Sequence, residues 1–404
     1  MEYKQLYIDN FVRYCKISTG SREESETVPT TQRQFDLAHL LVKELTELGL
    51  EDVHLDDKCF VYAYLNKQNT QKRVVLLSHM DTTDAAPNEN VNPMVHVYQG
   101  SDLVLPHTTI KATDLYDVKI GDTIVTSDGS TLLGADDKAG IAIIMTMLKQ
   151  LKQQPLPETF PSLCVCFTPD EETGKGIQSV TFEKLTSGIA GAFGITVDGC
   201  RKFEIENETF NAYKFQVTVR GFNIHPGEAY HKMCNSVTLA ADLCAQINAK
   251  FVPPWESRDR EDYVYVTEMN GDTNKTVVNG IVRSFGDTLA LVEKLRSFVE
   301  QWAAEQKVYS ELFDVKFESA FQYPNMRSKI PDELIDKLGK LGEQFGAKWT
   351  SIRGGTDGST LTLKGLPCPN IWTGSDKIHS IREYNVVEEA MKAREYLIKI
   401  LMNE

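Results

Sequence analysis

Residues 73–81 read RVVLLSHMD, and residues 162–172 read SLCVCFTPDEE. Each stretch begins with a continuous apolar run of strand length, which is typical of a parallel strand that is covered on both faces. The first run leads into His79 and Asp81, and the second leads into three consecutive carboxylates at 170–172. Adjacent carboxylates at the end of a buried strand raise one another's pKa, so this group requires either a cation or a solvated loop.

The surrounding sequence alternates between helix and strand patterns. Residues 192–197 (AFGITV) form a third apolar run, which leads into Asp198. Helices are predicted at 30–48 and 137–153, whereas 105–127 reads as a long irregular loop. This alternation predicts the α/β class, with a mostly parallel central sheet and helices on both faces. In such sheets the ligand site lies beyond the carboxyl ends of the strands.

The pattern of predicted helices and strands changes after Glu208. Strands are predicted at 213–220, 262–268, 275–285 and 312–321, and helices at 236–249 and 287–306. Their order, β-α-β-β-α-β, describes a self-contained α+β unit, and an α/β texture returns after it. We therefore predict a catalytic domain formed by 1–208 and 322–404, with a small domain inserted at 209–321.

The composition limits the class of partner. The chain has 404 residues, with 57 acidic and 43 basic side chains and a net charge of -14. This balance argues against a nucleic-acid partner or an anionic membrane surface and favours small substrates. The sequence shows neither a signal peptide nor an apolar stretch of the roughly 20 residues that a membrane span needs. Its eight cysteines are scattered singly, so we expect buried thiols in a reducing cytoplasm.

Further candidate ligands follow the same elements. The acidic pair 136–137 lies at the start of the 137–153 helix, where the helix dipole favours negative charge, and His379 stands alone near the C-terminus. Each motif by itself has an ordinary explanation: a solvated loop for 170–172, and a capped strand end for His79. Their joint occurrence at the strand ends of one sheet indicates a metal centre, because Zn²⁺ takes imidazole and carboxylate ligands and one carboxylate can bridge two ions.

Longer stretches carry a family resemblance. They are LLGADDKAGIA, FTPDEETGKG, TVDG, NIHPGEA, YPNMR, IRGGTDG and GLPCPN, and they are spread over nearly the whole chain. Together with the order of the candidate ligands, they resemble the co-catalytic zinc exopeptidases of the aminoacylase and carboxypeptidase type, and in detail the aminotripeptidases. The resemblance implies a zinc-exopeptidase-like catalytic domain whose inserted small domain acts as a lid.

The resemblance also implies a metal content and a ligand set. Two Zn²⁺ ions per chain are expected, with Co²⁺ or Mn²⁺ as alternatives. Asp136 would bridge the two ions. His79 and Asp198 would complete one site, and Glu172 and His379 would complete the other.

Catalytic and substrate-binding roles follow from the same resemblance. Glu171 would be the general base that takes a proton from the attacking water, and Asp81 would orient the histidine of the H-x-D motif. His225 of NIHPGEA would donate to the oxygen of the tetrahedral intermediate. Arg353 would bind the carboxylate of a short peptide, and Asn325 is a further substrate-binding candidate.

Some positions depart from the family pattern, and alternatives remain open. Residues 82–87 read TTDAAP where relatives usually have Pro-Asp, which affects the expected preference for tripeptides more than the metal chemistry. The alternative functions are a dipeptidase, an N-acyl-amino-acid deacylase, or a metal-binding relative without catalysis. Glu171 argues against the last, because a structural zinc site has no use for an extra carboxylate. Asp170 is assigned only to the loop. The family resemblance suggests a homodimer, which no apolar stripe in the sequence supports.

Overall fold

The computed structural model describes residues 2–201, 203–306 and 312–402. The chain forms two compact units. The larger unit combines the residues up to Asn207 with Ser328–Thr350 and the residues from Gly355 onwards. The smaller unit comprises Glu208–Arg327 and Ser351–Gly354, so the predicted insertion at 209–321 lies inside it.

The first part of the chain supplies most strands of the larger unit. Its helices are α1 (Glu2–Cys15), α2 (Gln34–Glu47), α3 (Ala135–Leu151) and α4 (Phe182–Thr186). Its strands are β1 (Glu51–Leu55), β2 (Val61–Leu65), β3 (Arg73–His79), β4 (Met94–Val97), β5 (Leu103–Val104), β6 (Thr109–Ile110), β7 (Thr123–Thr126), β8 (Ser162–Thr168), β9 (Phe193–Cys200) and β10 (Glu204–Glu208).

The remaining elements follow in the order that the sequence predicts. The middle of the chain contains β11 (Asn211–Arg220), α5 (Ser236–Lys250), β12 (Tyr263–Gly271), β13 (Lys275–Ser284), α6 (Thr288–Glu305) and β14 (Asp314–Tyr323). The last part contains α7 (Asp332–Glu343), β15 (Lys348–Ser351), α8 (Asp357–Leu363), β16 (Asn370–Asp376), β17 (Tyr384–Val386) and α9 (Val387–Met402).

The large sheet has the strand order β1-β2-β8-β3-β9-β16-β17-β7-β4. Its four central strands, β8, β3, β9 and β16, run parallel, and the outer strands are antiparallel. The predicted α/β class with its parallel centre is confirmed. Every residue of β3 and of β8 is buried, which explains their unbroken apolar runs. His79 pairs with Thr168 in this register, so the two strands end at the same edge of the sheet.

Helix α3 is the central helix of the larger unit. It is buried along nearly its whole length, and it packs against α1, α9 and the strands β3, β9 and β16. Gly140 lies where α3 approaches β9: a methyl group at this position would be 1.9 Å from the carbonyl oxygen of Val197. Only glycine allows this close approach, which places the first turn of α3 directly beside the carboxyl end of β9.

The smaller unit is an antiparallel sheet of order β12-β13-β11-β14, with α5 and α6 packed against it. Its core consists of inward-facing side chains from the sheet and the two helices, among them Val217, Val278, Leu243 and Trp302. Trp302 is 2% exposed and donates its indole N–H to Asp242 at 2.8 Å. The unit therefore has a core of its own, as the β-α-β-β-α-β pattern predicts.

The prediction of an irregular loop at 105–127 was wrong. This region contains β6 and β7, and β7 pairs with β17 and β4 in the large sheet. The four residues of β7 are all buried. A run of four residues, TIVT, is too short for strand periodicity to be recognised, and its place depends on partners that are distant in the chain. Among the described residues, no helix is both long enough and apolar enough to cross a membrane.

Candidate metal centre

His79 is the last residue of β3 and faces carboxylates on both sides of its ring. Its Nε2 atom lies 2.8 Å from Asp136 Oδ1 and 3.4 Å from Asp198 Oδ1. Its Nδ1 atom lies 3.3 Å from the carboxylate of Asp81 and 3.1 Å from the Asp81 carbonyl oxygen. The side chain is 2% exposed. Nε2 thus faces the group of candidate ligands, and Nδ1 faces Asp81, whose orienting role stays a prediction from the family resemblance.

Asp136 lies between the two histidines. Its Oδ1 atom contacts His79, and its Oδ2 atom lies 3.1 Å from Nε2 of His379. The same His379 nitrogen lies 3.1 Å from Glu172 Oε2. The backbone of Asp136 is not helical, although it lies in the first turn of α3, and its peptide bond to Asp137 is cis. The Asp136 carboxylate contacts both histidines, one through each oxygen.

The residues that the structure describes contain two compact sets of possible metal ligands. His79, Glu171 and Asp198 form one set, and His79, Asp136 and Glu172 form the other, with the ligand atoms of each set within 4.8 Å of one another. The grouping differs from the expected one, in which Glu171 is not a ligand. His379 belongs to neither compact set, although it contacts members of the second.

The donor atoms fit a metal ion. Glu172 Oε1 is buried and has no hydrogen-bond partner among the described residues. A buried carboxylate oxygen without a partner carries a high free-energy cost, which a cation removes. Imidazole and carboxylate groups are common ligands of divalent metal ions in proteins. The centre therefore supports a metal cofactor, which would compensate the carboxylates of Glu171 and Glu172.

The ionisation of the centre shows the same need for positive charge. Burial is the main cause that raises the pKa of Asp198, to about 8. Burial and the charge of Asp198 together raise the pKa of Glu171 well above 4.5. Burial lowers the pKa of His79, but Asp198 and Asp136 more than offset this, so that it lies well above 6.5. Burial and mutual repulsion therefore favour the uncharged form of the two carboxyl groups when no cation is present.

Asp81 holds more than the histidine. It is fully buried, and its carboxylate accepts the backbone N–H of Glu171 at 3.0 Å and that of Glu172 at 3.3 Å. The expected orienting role toward His79 is therefore combined with control over the loop after β8. One carboxylate thus contacts a candidate ligand, His79, and the backbone of both Glu171 and Glu172.

Asp137 forms hydrogen bonds with residues next to the candidate ligands, a role that the sequence pattern does not reveal. Its buried carboxylate accepts the hydroxyl of Ser78, the N–H of His79 at 3.2 Å and the N–H of Gly140 at 3.2 Å. It thereby ties the end of β3 to the first turn of α3. The only signal in the sequence is its position directly after Asp136.

Asp170 also does more than belong to a loop. It is buried and accepts the Thr30 N–H at 2.7 Å, the Thr30 hydroxyl at 2.5 Å and the Gln34 side-chain amide at 2.6 Å. These bonds join the loop after β8 to the start of α2. The assignment of Asp170 to the loop therefore requires an addition: its carboxylate is a buried structural anchor.

The substrate-binding candidates lie in the smaller unit. His225 is exposed and precedes a short 3₁₀ turn, and its Nδ1 atom accepts the N–H of Gly227 at 3.1 Å. Asn325 is 8% exposed. Its oxygen accepts the N–H of Thr209 at 3.2 Å and of Arg327 at 2.9 Å. Asn325 therefore has structural contacts within its own unit, and its substrate role stays a prediction.

Arg353 is likewise engaged within the smaller unit. Its guanidinium donates to the backbone oxygens of Asp259 at 2.9 Å and Glu261 at 3.0 Å. The guanidinium also lies over the rings of Phe210 and Tyr263, with its carbon 5.2 Å and 5.5 Å from their centroids. These contacts orient the side chain. They do not test whether Arg353 binds a substrate carboxylate, which stays a prediction.

Comparison with known proteins agrees with this geometry. Residues 128–403 match the model of the peptidase family M20/M25/M40. The chain is 37% identical to peptidase T of Alkaliphilus oremlandii over 413 residues, and 37% identical to peptidase T of Shouchella clausii over 407 residues, with 98% of both chains covered in each case. The predicted family resemblance is confirmed.

Solved structures show the same fold. The aminopeptidase PepT from Bacillus cereus superposes with a TM-score of 0.73 at 22% identity, covering 99% of this chain and 98% of that one. A tripeptidase from Staphylococcus aureus gives a TM-score of 0.73 at 20% identity, covering 99% of each chain.

The central place of Asp136 leads to a prediction about bound metal. Asp136→Ala removes the carboxylate that contacts both histidines, so we expect it to lose nearly all divalent metal. His379→Ala removes a ligand from one side only, and we expect it to retain part of the metal. Elemental analysis of purified protein measures both, with Asp57→Ala, an exposed acid elsewhere in the chain, as the control. Equal metal retention in Asp136→Ala and His379→Ala would contradict the central role.

Proposed function

The chain belongs to the peptidase family M20/M25/M40, and from that premise we propose that it is a metallo-aminopeptidase that removes the N-terminal residue of tripeptides. The observation that carries the proposal is that Glu171 has a carboxylate oxygen within 4.8 Å of donor atoms of His79 and Asp198, in a centre where Asp136 contacts two histidines. The relatives named peptidase T, which match over 98% of the chain, support the substrate class.

The proposed cofactor is a pair of Zn²⁺ ions, with Co²⁺ or Mn²⁺ as alternatives. Asp136 would hold both ions, His79 and Asp198 would complete one site, and Glu172 and His379 would complete the other. When bound, such ions lower the pKa of water and polarise the scissile carbonyl. The unpartnered oxygen of Glu172 supports this arrangement.

Glu171 is the proposed general base. Burial and then the charge of Asp198 raise its pKa, which makes this carboxylate a better proton acceptor. It would accept a proton from the attacking water and pass the same proton to the nitrogen of the leaving amine. Asp81 assists because it binds the N–H of Glu171 and so restrains the backbone that carries the base.

His225 is the proposed donor to the developing oxyanion. Its Nδ1 atom accepts the Gly227 N–H, so in the neutral ring the proton resides on Nε2. The ring therefore presents a donor at its outer nitrogen, which is the role that the resemblance implies. Arg353 is the proposed partner of the peptide carboxylate, and Asn325 is a further candidate near the substrate.

The cellular location is proposed from the thiols. All eight cysteines are free, and several are fully buried, including Cys15, Cys164 and Cys166. Free thiols persist in reducing compartments, which supports a cytoplasmic enzyme. Pairing of two chains through the smaller unit stays a prediction from the family resemblance.

A substrate panel tests the function directly. Free tripeptides should be hydrolysed faster than dipeptides or N-acyl amino acids, and a chelator should abolish the activity because the metal supplies the activated water. Initial rates by amine release, measured before and after chelation and metal return, provide the comparison. Faster turnover of dipeptides or of acyl amino acids would favour the two alternative activities, and a lack of any turnover with full metal content would favour a non-catalytic relative.

The role of Glu171 has a matched control in the same loop. Glu171→Gln retains size and polarity but removes the base, so kcat should fall by roughly 10² to 10⁴-fold while metal content stays near that of the wild type. Asp170→Asn should instead lower stability, by about 1 to 3 kcal/mol, because one of the donors from Thr30 or Gln34 loses its acceptor. Steady-state kinetics and denaturant unfolding separate the two effects. Near-normal turnover in Glu171→Gln would place the base elsewhere.

Arg353 is tested by comparing peptide acids with peptide amides. Arg353→Ala should reduce kcat/KM for free tripeptides by about 2 to 4 kcal/mol, because the substrate carboxylate loses a charge-assisted partner. Tripeptide amides, which lack this charge, should lose much less. His225→Ala serves as the control and should depress kcat for acids and amides alike. Equal losses for both substrates in Arg353→Ala would show that its role is confined to its contacts within the smaller unit.

A further inference from the structure

A buried carboxylate joins the two loops that carry Asp136 and His379. Glu383 follows His379 in the segment between β16 and β17, and it is 1% exposed. Its Oε2 atom accepts the N–H groups of Leu133 at 2.7 Å and Gly134 at 2.8 Å, and its Oε1 atom accepts the N–H of Asp136 at 3.0 Å. Both oxygens are therefore used by the turn that precedes α3.

The Gly134 carbonyl accepts the N–H of Lys138 at 3.2 Å, but the rest of the turn departs from helical geometry. Gly134 has a left-handed backbone with φ of 78°, and Asp136 has φ and ψ of −83° and 103°, outside the helical region. Backbone N–H groups at the start of a helix have no acceptor within it, and here a side chain from a distant part of the chain supplies one. The position of the Asp136 carboxylate thus depends on Glu383.

We propose that Glu383 is a positioning residue that sets the metal affinity of the centre by fixing Asp136 relative to His379. The inference rests on the proposed assignment of these two residues as metal ligands. Glu383 bonds to backbone groups, so it acts through Asp136 and is not itself a catalytic residue. Partners that orient the metal ligands of a site typically contribute 10- to 100-fold to its metal affinity.

The chemistry of the side chain makes the proposal testable. Glu383→Gln preserves the shape but has one acceptor oxygen and one amide donor, so the amide must face an N–H of Asp136 or of the Leu133–Gly134 pair. Glu383→Asp retains the charge but is shorter by one methylene group. Both changes should displace the turn without altering any of the proposed ligands.

The chain offers a matched control at Glu388. Its Oε2 atom accepts the N–H of Thr123 at 2.8 Å, and its Oε1 atom forms an ion pair with Lys4 at 2.5 Å. Glu388→Gln therefore also replaces a carboxylate that binds a backbone N–H, but one that contacts neither of the two ligand loops. It corrects for a general loss of stability.

The experiment titrates Co²⁺ into apoprotein against a competing chelator and records the visible absorption of the bound ion, in the absence of substrate. Glu383→Gln should bind Co²⁺ 10- to 100-fold more weakly than wild type and with a changed spectrum, whereas Glu388→Gln should match wild type. The effects of Glu383→Gln and His379→Ala on affinity should be less than additive, because both act on the same side of Asp136.

Each outcome decides the question. Wild-type Co²⁺ affinity and spectrum in Glu383→Gln would overturn the positioning role while leaving the proposed peptidase function intact. If Glu383→Gln does not fold, Glu383→Asp carries the test, and an unchanged affinity in that variant would overturn the role. A wild-type protein that binds no Co²⁺ or Zn²⁺ would refute the ligand assignment, and with it both the proposed function and this inference.

Discussion

The larger unit must compensate the electrostatic repulsion among the buried carboxylates that lie around Asp136. Buried acids held within a few ångströms of one another are unfavourable unless positive charge or N–H donors compensate them. The fold supplies donors behind the centre: Asp81 accepts two backbone N–H groups from the loop after β8, and Asp137 accepts two from β3 and α3. In the part of the chain that the structure describes, Glu172 Oε1 has no such partner, and this is the side where a cation is expected.

The parallel centre of the sheet explains how ligands that are far apart in sequence meet. Strands β3, β8 and β9 are parallel neighbours, so the residues that follow them reach the same edge. His79 ends β3, Glu172 lies in the loop after β8, and Asp198 lies near the end of β9. Helix α3 adds Asp136 at this edge because Gly140 allows its first turn to approach β9 closely.

The sequence predicted the parts of the site that depend on local pattern. Apolar runs identified β3, β8 and β9, and the acids that follow them marked the edge of the sheet. It missed the parts that depend on distant hydrogen bonds: a carboxylate that accepts backbone N–H groups from another segment, such as Glu383 or Asp170, leaves no periodic signal. The four buried residues of β7 were missed for a related reason, since their partners, β4 and β17, lie far away in the chain. His379 stood out in the sequence only as a lone histidine near the C-terminus, and its assignment to one metal ion came from the family resemblance and stays a prediction.

The candidate substrate residues differ in how far their present contacts prepare them for the proposed roles. Arg353 and Asn325 form hydrogen bonds with backbone groups of the smaller unit. To bind a substrate, each side chain would have to use N–H donors that are not part of these hydrogen bonds. His225 is different, because its one described hydrogen bond uses Nδ1 as an acceptor and thereby leaves the ring proton on the exposed outer nitrogen. A donor whose tautomer is set before substrate arrives needs no proton rearrangement when negative charge develops on the carbonyl oxygen. Of the three residues, His225 is therefore the one whose local structure most directly supports its predicted role.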